Sequence, residues 1–141
     1  MSEAQHVTIL LAEDDPGHAR LIEKNLRRSN ITNKIVHVSD GQQAIDHLFG
    51  DGCPSLLLVL LDLNMPVLDG YQVLERIKAD ERTKRIPVII LTTTDDAREV
   101  SRCYDLGCNV YMTKPVNYQQ FSEAIRQLGL FLSVVIVPDR E

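Results

Sequence analysis

The stretch LLLVLLDLNMPVLDG, residues 56–70, decides the fold of this 141-residue chain. Its first half is a continuous run of Leu and Val, which is typical of a strand buried on both faces of a parallel sheet. The run ends on a single carboxylate, Asp62, and a Met-Pro and an Asp-Gly pair follow it. A strand that crosses the core and ends in a charge indicates that the charged side chain has a chemical role.

Four other short apolar runs along the chain also predict strands. They are VTILLA (7–12), IVHV (35–38), PVIILT (87–92) and NVYMT (109–113). Between the runs, apolar residues recur every three or four positions, as on one face of a helix. These stripes are Ala19, Ile22 and Leu26; Val73, Leu74 and Ile77; and Phe121, Ala124, Ile125 and Leu128. Short polar residues that cap helices stand near the predicted helix starts: Asp40, Asp69, Asp95 and Asn117.

Strand and helix therefore alternate five times along the chain. Parallel neighbours need crossover connections, and right-handed crossovers place helices on both faces of the sheet. The sequence predicts a doubly wound α/β domain with a five-stranded parallel sheet.

The overall composition limits the classes of function. The chain is 44% hydrophobic and 25% charged, as in a soluble globular domain. Its formal net charge of −5 argues against a nucleic-acid partner, because such binding needs Lys and Arg against phosphates. Three cysteines without a Cys-x-x-Cys motif, and a polar N-terminus, favour the cytosol. The apolar run LGLFLSVVIV is about half the ~20 residues that span a bilayer, so we expect a cytoplasmic protein without a membrane partner.

Polar residues follow the predicted strands where each one ends. The first strand ends in AEDD, which contributes Glu13, Asp14 and possibly Asp15, and the third ends at Asp62. Ligands of open parallel sheets bind at these carboxyl ends. If the first and third strands are neighbours, the carboxylates crowd together and repel unless a cation neutralises them. A ligand set of oxygens alone favours Mg²⁺.

The fourth and fifth strands add a hydroxyl and an ammonium to the same end. The fourth ends at Thr92, with Thr93 and Thr94 behind it, and the fifth ends at Lys114-Pro115. These groups suit the oxygens of a phosphoryl group. Each feature alone has a simpler interpretation: an acidic pair caps a helix, and TTT is an ordinary loop. Their joint occurrence at the ends of different strands favours a phosphoryl site.

Glu13-Asp14, Asp62, Thr92 and Lys114-Pro115 together resemble the receiver domain of two-component response regulators. The resemblance covers about residues 7–129 of a single domain spanning 1–141, and residues 130–141 form an apolar C-terminal extension. It implies a flavodoxin-like sheet with strand order 2-1-3-4-5 and a magnesium-dependent reaction with a sensor histidine kinase.

The resemblance also implies a role for each matching residue. Asp62 is the expected phosphoacceptor, and Thr92 and Lys114 are expected to contact phosphoryl oxygens. The expected Mg²⁺ ligands are Asp14, Asp62, Glu13 through water, and the backbone carbonyl of Asn64. Thr92 and Tyr111 resemble the switch pair, although a half-buried strand aromatic is the simpler interpretation of Tyr111 alone. Pro115 is expected to follow a cis peptide bond, and Asn64 and Thr94 are expected to tune the acyl-phosphate lifetime.

Two segments narrow the subtype. LERIKADERTKRIPVIILTTT resembles the single-domain regulators encoded with phytochrome kinases, which implies a bacteriophytochrome as the partner kinase. We expect no output module after the fifth helix, so the output is a protein contact or onward phosphate transfer. The extension is too apolar to stay in water. It predicts either a homodimer, through Phe131, Leu132, Val135 and Val137, or a segment folded back on its own domain.

Three other classes of function compete with a phosphorylated regulator. A receiver-shaped interaction module would act without phosphate. A phosphohydrolase of the haloacid dehalogenase type would carry its nucleophile near the start in an Asp-x-Asp motif, whereas Asn64 stands two residues after Asp62. A flavodoxin-like cofactor binder would need Ser, Thr and Gly in its first loop, whereas AEDDPGHA would repel the FMN phosphate. We therefore expect a phosphoacceptor that assists its own phosphorylation and dephosphorylation, not a conventional enzyme.

Overall fold

Five strands alternate with helices in the structure, a computed structural model that describes residues 8–28, 33–50, 56–114, 119–124 and 126–127. The strands are β1 (Thr8–Ala12), β2 (Lys34–Val38), β3 (Leu56–Asp62), β4 (Val88–Thr92) and β5 (Val110–Thr113). The helices are α1 (Pro16–Arg28), α2 (Gly41–Phe49), α3 (Gly70–Ala79) and α4 (Ala97–Asp105). Residues 119–124 and 126–127 are also helical. Each predicted strand is present, with ends that differ by at most one residue.

The strands form one parallel sheet in the order β2-β1-β3-β4-β5, which confirms the predicted order. The register aligns their carboxyl ends: Ala12 pairs with Leu61, and Asp62 pairs with Leu91. Thr92 pairs with Thr113 on β5. Residues that follow or end four strands therefore meet at one end of the sheet.

The core lies on both faces of the sheet, because successive strand side chains point to opposite sides. On one face, Ile9 and Leu11 pack with Ile22 of α1 and with Phe121. On the other face, Leu10 and Leu61 belong to a cluster that includes residues of α2, α3 and α4. The predicted helical stripes are buried where they are described, and Ile125 and Leu128 lie outside the described side chains.

Aspartates cap the helices, with one difference from the prediction. Asp40 caps α2, and Asp69 forms a capping box with Gln72 at the start of α3. At α4 the cap is Asp96, not the predicted Asp95, because the Asp96 carboxylate accepts a hydrogen bond from the Arg98 amide at 2.8 Å. Asn117 lies outside the described residues, as do Pro115 and the extension over residues 130–141.

The loop from β3 to α3 turns tightly back onto the end of β3. The Gly70 amide donates to the Leu63 carbonyl at 3.0 Å. A Cβ at Gly70 would lie 2.5 Å from the Asp62 carbonyl oxygen and 2.6 Å from the Leu63 Cα, so only glycine fits here. Val67, in the same loop, has a φ of 68° and is 71% exposed, a conformation that strains a β-branched side chain. The loop that follows Asp62 thus contains a strained and exposed residue.

None of the helices within these described residues has the length and apolar character needed to cross a bilayer.

Candidate functional site

Three carboxylates meet at the carboxyl end of the sheet, and we call Glu13, Asp14 and Asp62 the acidic cluster. One carboxylate oxygen from each lies within 4.8 Å of the others. Glu13 and Asp62 are 1% and 5% exposed, whereas Asp14 is exposed. The adjacency of β1 and β3 brings these side chains together, as the sequence predicted.

The backbone of Glu13 is fixed by the end of β2. Its amide donates to the Val38 carbonyl at 3.0 Å, and its carbonyl accepts a hydrogen bond from His37 Nε2 at 2.7 Å. The Glu13 carboxylate accepts a further bond from the Asp15 amide at 3.1 Å. The buried Glu13 carboxylate is therefore held in a defined position beside Asp62.

The Asp62 carboxylate is buried among like charges. Burial and the nearby Glu13 carboxylate raise the pKa of Asp62 to about 6, although Lys114 and the Asn64 amide favour the charged form. The Asn64 amide donates to Asp62 Oδ1 at 3.2 Å. At neutral pH the charged form predominates at a cost, and a bound cation would reduce that cost.

Lys114 is the cation that faces the acidic cluster. Its ammonium lies 2.5 Å from Glu13 Oε1 and 3.5 Å from Asp62 Oδ2, and its side chain is 9% exposed. Its amide donates to the Thr92 carbonyl at 2.7 Å, which ties the end of β5 to the end of β4. The acidic cluster and Lys114, taken together, therefore carry a net negative charge.

Thr92 and Asn64 form a second polar contact beside Asp62. Thr92 is fully buried, and its hydroxyl oxygen accepts a hydrogen bond from Asn64 Nδ2 at 3.3 Å. The Thr94 amide lies 3.5 Å from the same hydroxyl. The hydroxyl of Thr92 therefore lies at the end of β4 between the two residues expected to tune the acyl-phosphate lifetime.

Aromatic residues connect the end of β4 to α4 and β5. The half-buried Tyr111 donates its hydroxyl to the Thr94 carbonyl at 2.6 Å, and burial raises its pKa to about 12. The Tyr111 amide donates to the Tyr104 hydroxyl at 3.1 Å. These bonds tie the loop that contains Thr94 to β5 and α4. On α4, the Arg102 guanidinium lies 3.9 Å from the centre of the ring of Tyr71 in α3.

The donor set of the acidic cluster fits a hard divalent cation. All its ligand atoms are carboxylate oxygens, and neither His nor Cys belongs to it. Octahedral Mg²⁺ binds oxygens at about 2.1 Å, which sets them about 3 to 4 Å apart. One oxygen from each member of the cluster lies within 4.8 Å of the others, so a small shift would bring them to this spacing, and the Asp14 side chain is exposed to solvent.

The family of the chain follows from a comparison with known proteins. The profile described as the response regulator receiver domain matches residues 9–126. This chain belongs to that family. The match confirms the family predicted from Asp62 and the residues around it.

Three relatives illustrate the similarity of this receiver domain to known proteins. A response regulator receiver domain from Rhodospirillum rubrum is 56% identical, with a TM-score of 0.77, and the match covers 96% of this chain and 99% of that one. The phosphorylated cyanobacterial phytochrome response regulator RcpA is 36% identical, with a TM-score of 0.76, over 90% and 94% of the two chains.

The third relative is the response regulator Rcp1 of Synechocystis sp. It is 36% identical over 135 residues, which are 92% of each protein. The Mn²⁺-bound structure of Rcp1 matches with a TM-score of 0.75 over 89% of this chain and 93% of that one. The predicted similarity to phytochrome-associated regulators is therefore confirmed.

Some contacts in the site were not predicted from the sequence. Asp15 does not join the acidic cluster: its carboxylate accepts hydrogen bonds from the Gly17 and His18 amides at 2.8 and 3.1 Å, so it caps α1. Lys114 pairs with Glu13 across 101 positions of sequence. His18 also contacts Lys114. Its position in the first turn of α1, shortly after the acidic residues that follow β1, is the sequence feature that could have indicated this contact.

We expect the Asp62→Asn substitution to stabilise the protein at pH 8 without divalent cations. The pKa of Asp62 is raised from 3.8 to about 6, so its contribution to stability is fully present below pH 3.8 and is lost as the pH rises through 6. Removing the charge should increase the free energy of unfolding at pH 8 by about 1 to 3 kcal/mol. Urea denaturation at pH 8 and pH 4 measures this change.

The difference in the free energy of unfolding between the wild type and Asp62→Asn should shrink towards zero at pH 4. Asp105→Asn, at an exposed position on α4, serves as the matched control and should change the stability by less than about 0.5 kcal/mol. A loss of stability in Asp62→Asn at pH 8 would contradict the electrostatic strain described for this site.

Proposed function

We propose that this protein is a response regulator that accepts a phosphoryl group from a sensor histidine kinase on Asp62. One observation carries the proposal: a buried carboxylate at the end of β3 lies 3.5 Å from the Lys114 ammonium, within a cluster of three carboxylates. The match to the receiver family and to 92% of the length of Rcp1 supports it.

Mg²⁺ is the proposed cofactor. Asp14 and Asp62 would hold it through their carboxylates, Glu13 through a water molecule and Asn64 through its backbone carbonyl. When bound, Mg²⁺ supplies positive charge that offsets the carboxylates and the incoming phosphoryl oxygens. The oxygen-only donor set of the acidic cluster supports this choice, as does the Mn²⁺-bound form of Rcp1, because Mn²⁺ and Mg²⁺ prefer the same ligands.

The proposed reaction is an in-line displacement at phosphorus. A carboxylate oxygen of Asp62 forms a bond to the phosphorus of phosphohistidine as the phosphorus–nitrogen bond breaks. The electron pair of that bond leaves with the imidazole of the kinase, which takes up a proton. In the second half of the cycle, water attacks the phosphorus, and the bond to Asp62 breaks to release inorganic phosphate and the free carboxylate.

Lys114 and Thr92 would contact the phosphoryl oxygens after transfer. The ammonium of Lys114 already lies within reach of Asp62, and Thr92 ends the neighbouring strand. A Thr92 hydroxyl that donates to the phosphoryl group opens space beside it, and Tyr111 then moves inward. This switch would bias two packings of α4 and β5. The hydrogen bond from Tyr111 to the Thr94 carbonyl supports a coupling between the two positions.

The proposal makes the protein a signalling phosphoacceptor that assists its own chemistry. A receiver-shaped module that acts without phosphate is the second candidate, and its distinguishing property would be insensitivity to phosphodonors.

We propose a cytoplasmic protein whose partner kinase is a bacteriophytochrome, because RcpA is a phytochrome response regulator and is 36% identical to this chain.

We expect the intact mass to increase by one phosphoryl group when the protein is incubated with Mg²⁺ and a small phosphodonor. Asp62→Asn should show no increase, because the nucleophile is absent. Lys114→Met should gain phosphate at least roughly tenfold more slowly, since one donor to the transferring group is lost. Time-resolved mass spectrometry measures all three.

A wild-type chain that stays unmodified while it binds Mg²⁺ would favour the module that acts without phosphate. Modification of the Asp62→Asn variant at the wild-type rate would contradict the assignment of the acceptor.

We expect Asn64→Ala and Thr94→Ala to change the lifetime of the acyl phosphate several-fold. Both residues lie beside the Thr92 hydroxyl, where they flank the proposed path of the attacking water. The decay of phosphorylated protein after removal of the phosphodonor measures the lifetime. Decay at the wild-type rate in both variants would contradict this role.

We also propose a homodimer held by the C-terminal extension, through Phe131, Leu132, Val135 and Val137. Replacing these four residues with serine should convert a dimer into a monomer, because the apolar contact surface is lost. Light scattering coupled to size-exclusion chromatography measures the mass. A monomeric wild-type protein, with and without phosphodonor, would refute the dimer.

A further inference from the structure

His18 lies at the mouth of the site, next to the ammonium of Lys114. Its Nδ1 atom is 3.3 Å from Lys114 Nζ and 3.8 Å from Glu13 Oε2, and its side chain is 47% exposed. A lysine ammonium has three hydrogen-bond donors and no acceptor. A hydrogen bond from Lys114 to His18 Nδ1 is therefore compatible with the neutral tautomer that carries its proton on Nε2.

The position of His18 is set by the start of α1. The Asp15 carboxylate accepts from the His18 amide at 3.1 Å and from the Gly17 amide at 2.8 Å. Asp15 thereby caps the helix and presents the His18 ring from its first turn towards Lys114. Asp15 follows Asp14 of the acidic cluster in sequence, so the segment that supplies the carboxylates also places the imidazole.

The contacts of Lys114 account for its three donors. Glu13 Oε1 lies 2.5 Å away, His18 Nδ1 lies 3.3 Å away, and Asp62 Oδ2 lies 3.5 Å away. With the first two acceptors in place, one donor remains for the carboxylate that would receive the phosphoryl group. A long lysine side chain with a single acceptor would sample more orientations, because each unrestrained bond adds rotamers.

We propose that His18 is a positioning residue for phosphoryl transfer, which holds the Lys114 ammonium so that one N–H faces Asp62. This inference rests on the proposed function, because it assigns a role within the same reaction. His18 acts through Lys114 and takes no part in the bond changes at phosphorus.

The tautomer of His18 is the first test, and it does not depend on activity. Long-range ¹⁵N–¹H NMR spectra of histidine-labelled protein at pH 8 distinguish the two neutral tautomers, and a His18→Asn spectrum assigns its signals among the four histidines. We expect His18 in the Nε2–H form in the wild type and a mixture of tautomers in Lys114→Met. A predominant Nδ1–H form, or no change in Lys114→Met, would overturn the proposal.

The rate of phosphorylation by a small phosphodonor with saturating Mg²⁺ is the second test. His18→Leu should slow the gain of phosphate about 3- to 10-fold, which corresponds to the net contribution of one ordinary hydrogen bond, because His18 acts only through Lys114. His18→Asn should restore most of the rate, because its amide oxygen stands where Nδ1 does. Leu21→Ala changes a residue of the same helix that is also 47% exposed, and it should leave the rate unchanged.

The affinity for Mg²⁺ distinguishes a loss of Lys114 positioning in the His18 variants from a general disturbance of the acidic cluster. Calorimetric titration should give the same affinity, within about twofold, for wild type, His18→Leu and His18→Asn, since His18 is outside the acidic cluster. Equal phosphorylation rates for wild type and His18→Leu would overturn this inference alone. A wild-type protein that takes no phosphate at all would overturn the proposed function, and this role with it.

Discussion

Repulsion among buried carboxylates is the constraint on which the site depends. Glu13 and Asp62 are almost fully buried beside Asp14, and one ammonium offsets part of their charge. Burial of charge costs free energy unless partners compensate it. Burial and the nearby Glu13 carboxylate raise the pKa of Asp62, which indicates that Lys114 compensates these charges only in part. A divalent cation at this position would offset the negative charge that the protein alone leaves uncompensated.

The rest of the fold keeps these charges in place. Parallel pairing aligns the ends of β1, β3, β4 and β5, so residues distant in sequence meet at one end of the sheet. The apolar clusters on both faces fix the strands, and Gly70 lets the chain return directly behind Asp62. A rigid sheet therefore holds the site together despite its internal repulsion.

Much of this arrangement could be predicted from the sequence. Continuous apolar runs and helical stripes predicted the strands, and the rule of carboxyl ends placed Glu13, Asp62, Thr92 and Lys114 together. The finer contacts could not be predicted, because periodicity does not specify which of several neighbours a flexible side chain selects. Lys114 has Glu13, Asp62 and His18 within reach, and only coordinates distinguish them. The same limit applies to the cap of α4. Asp95 and Asp96 are adjacent residues of the same type, and only the geometry of the loop decides that Asp96 is the cap.

The hydrogen bonds of Tyr111 have a consequence for the speed of signalling. Its hydroxyl holds the loop before α4, its amide binds the Tyr104 hydroxyl on α4, and Arg102 stacks on Tyr71. Isolated exposed side chains change rotamer within nanoseconds, whereas collective helix movements take microseconds to milliseconds. Because these contacts share one helix and its loop, we expect them to break together. The surface formed by α4 and β5 would then change in one concerted step. A brief encounter with a phosphodonor that leaves Asp62 unmodified would not trigger this step.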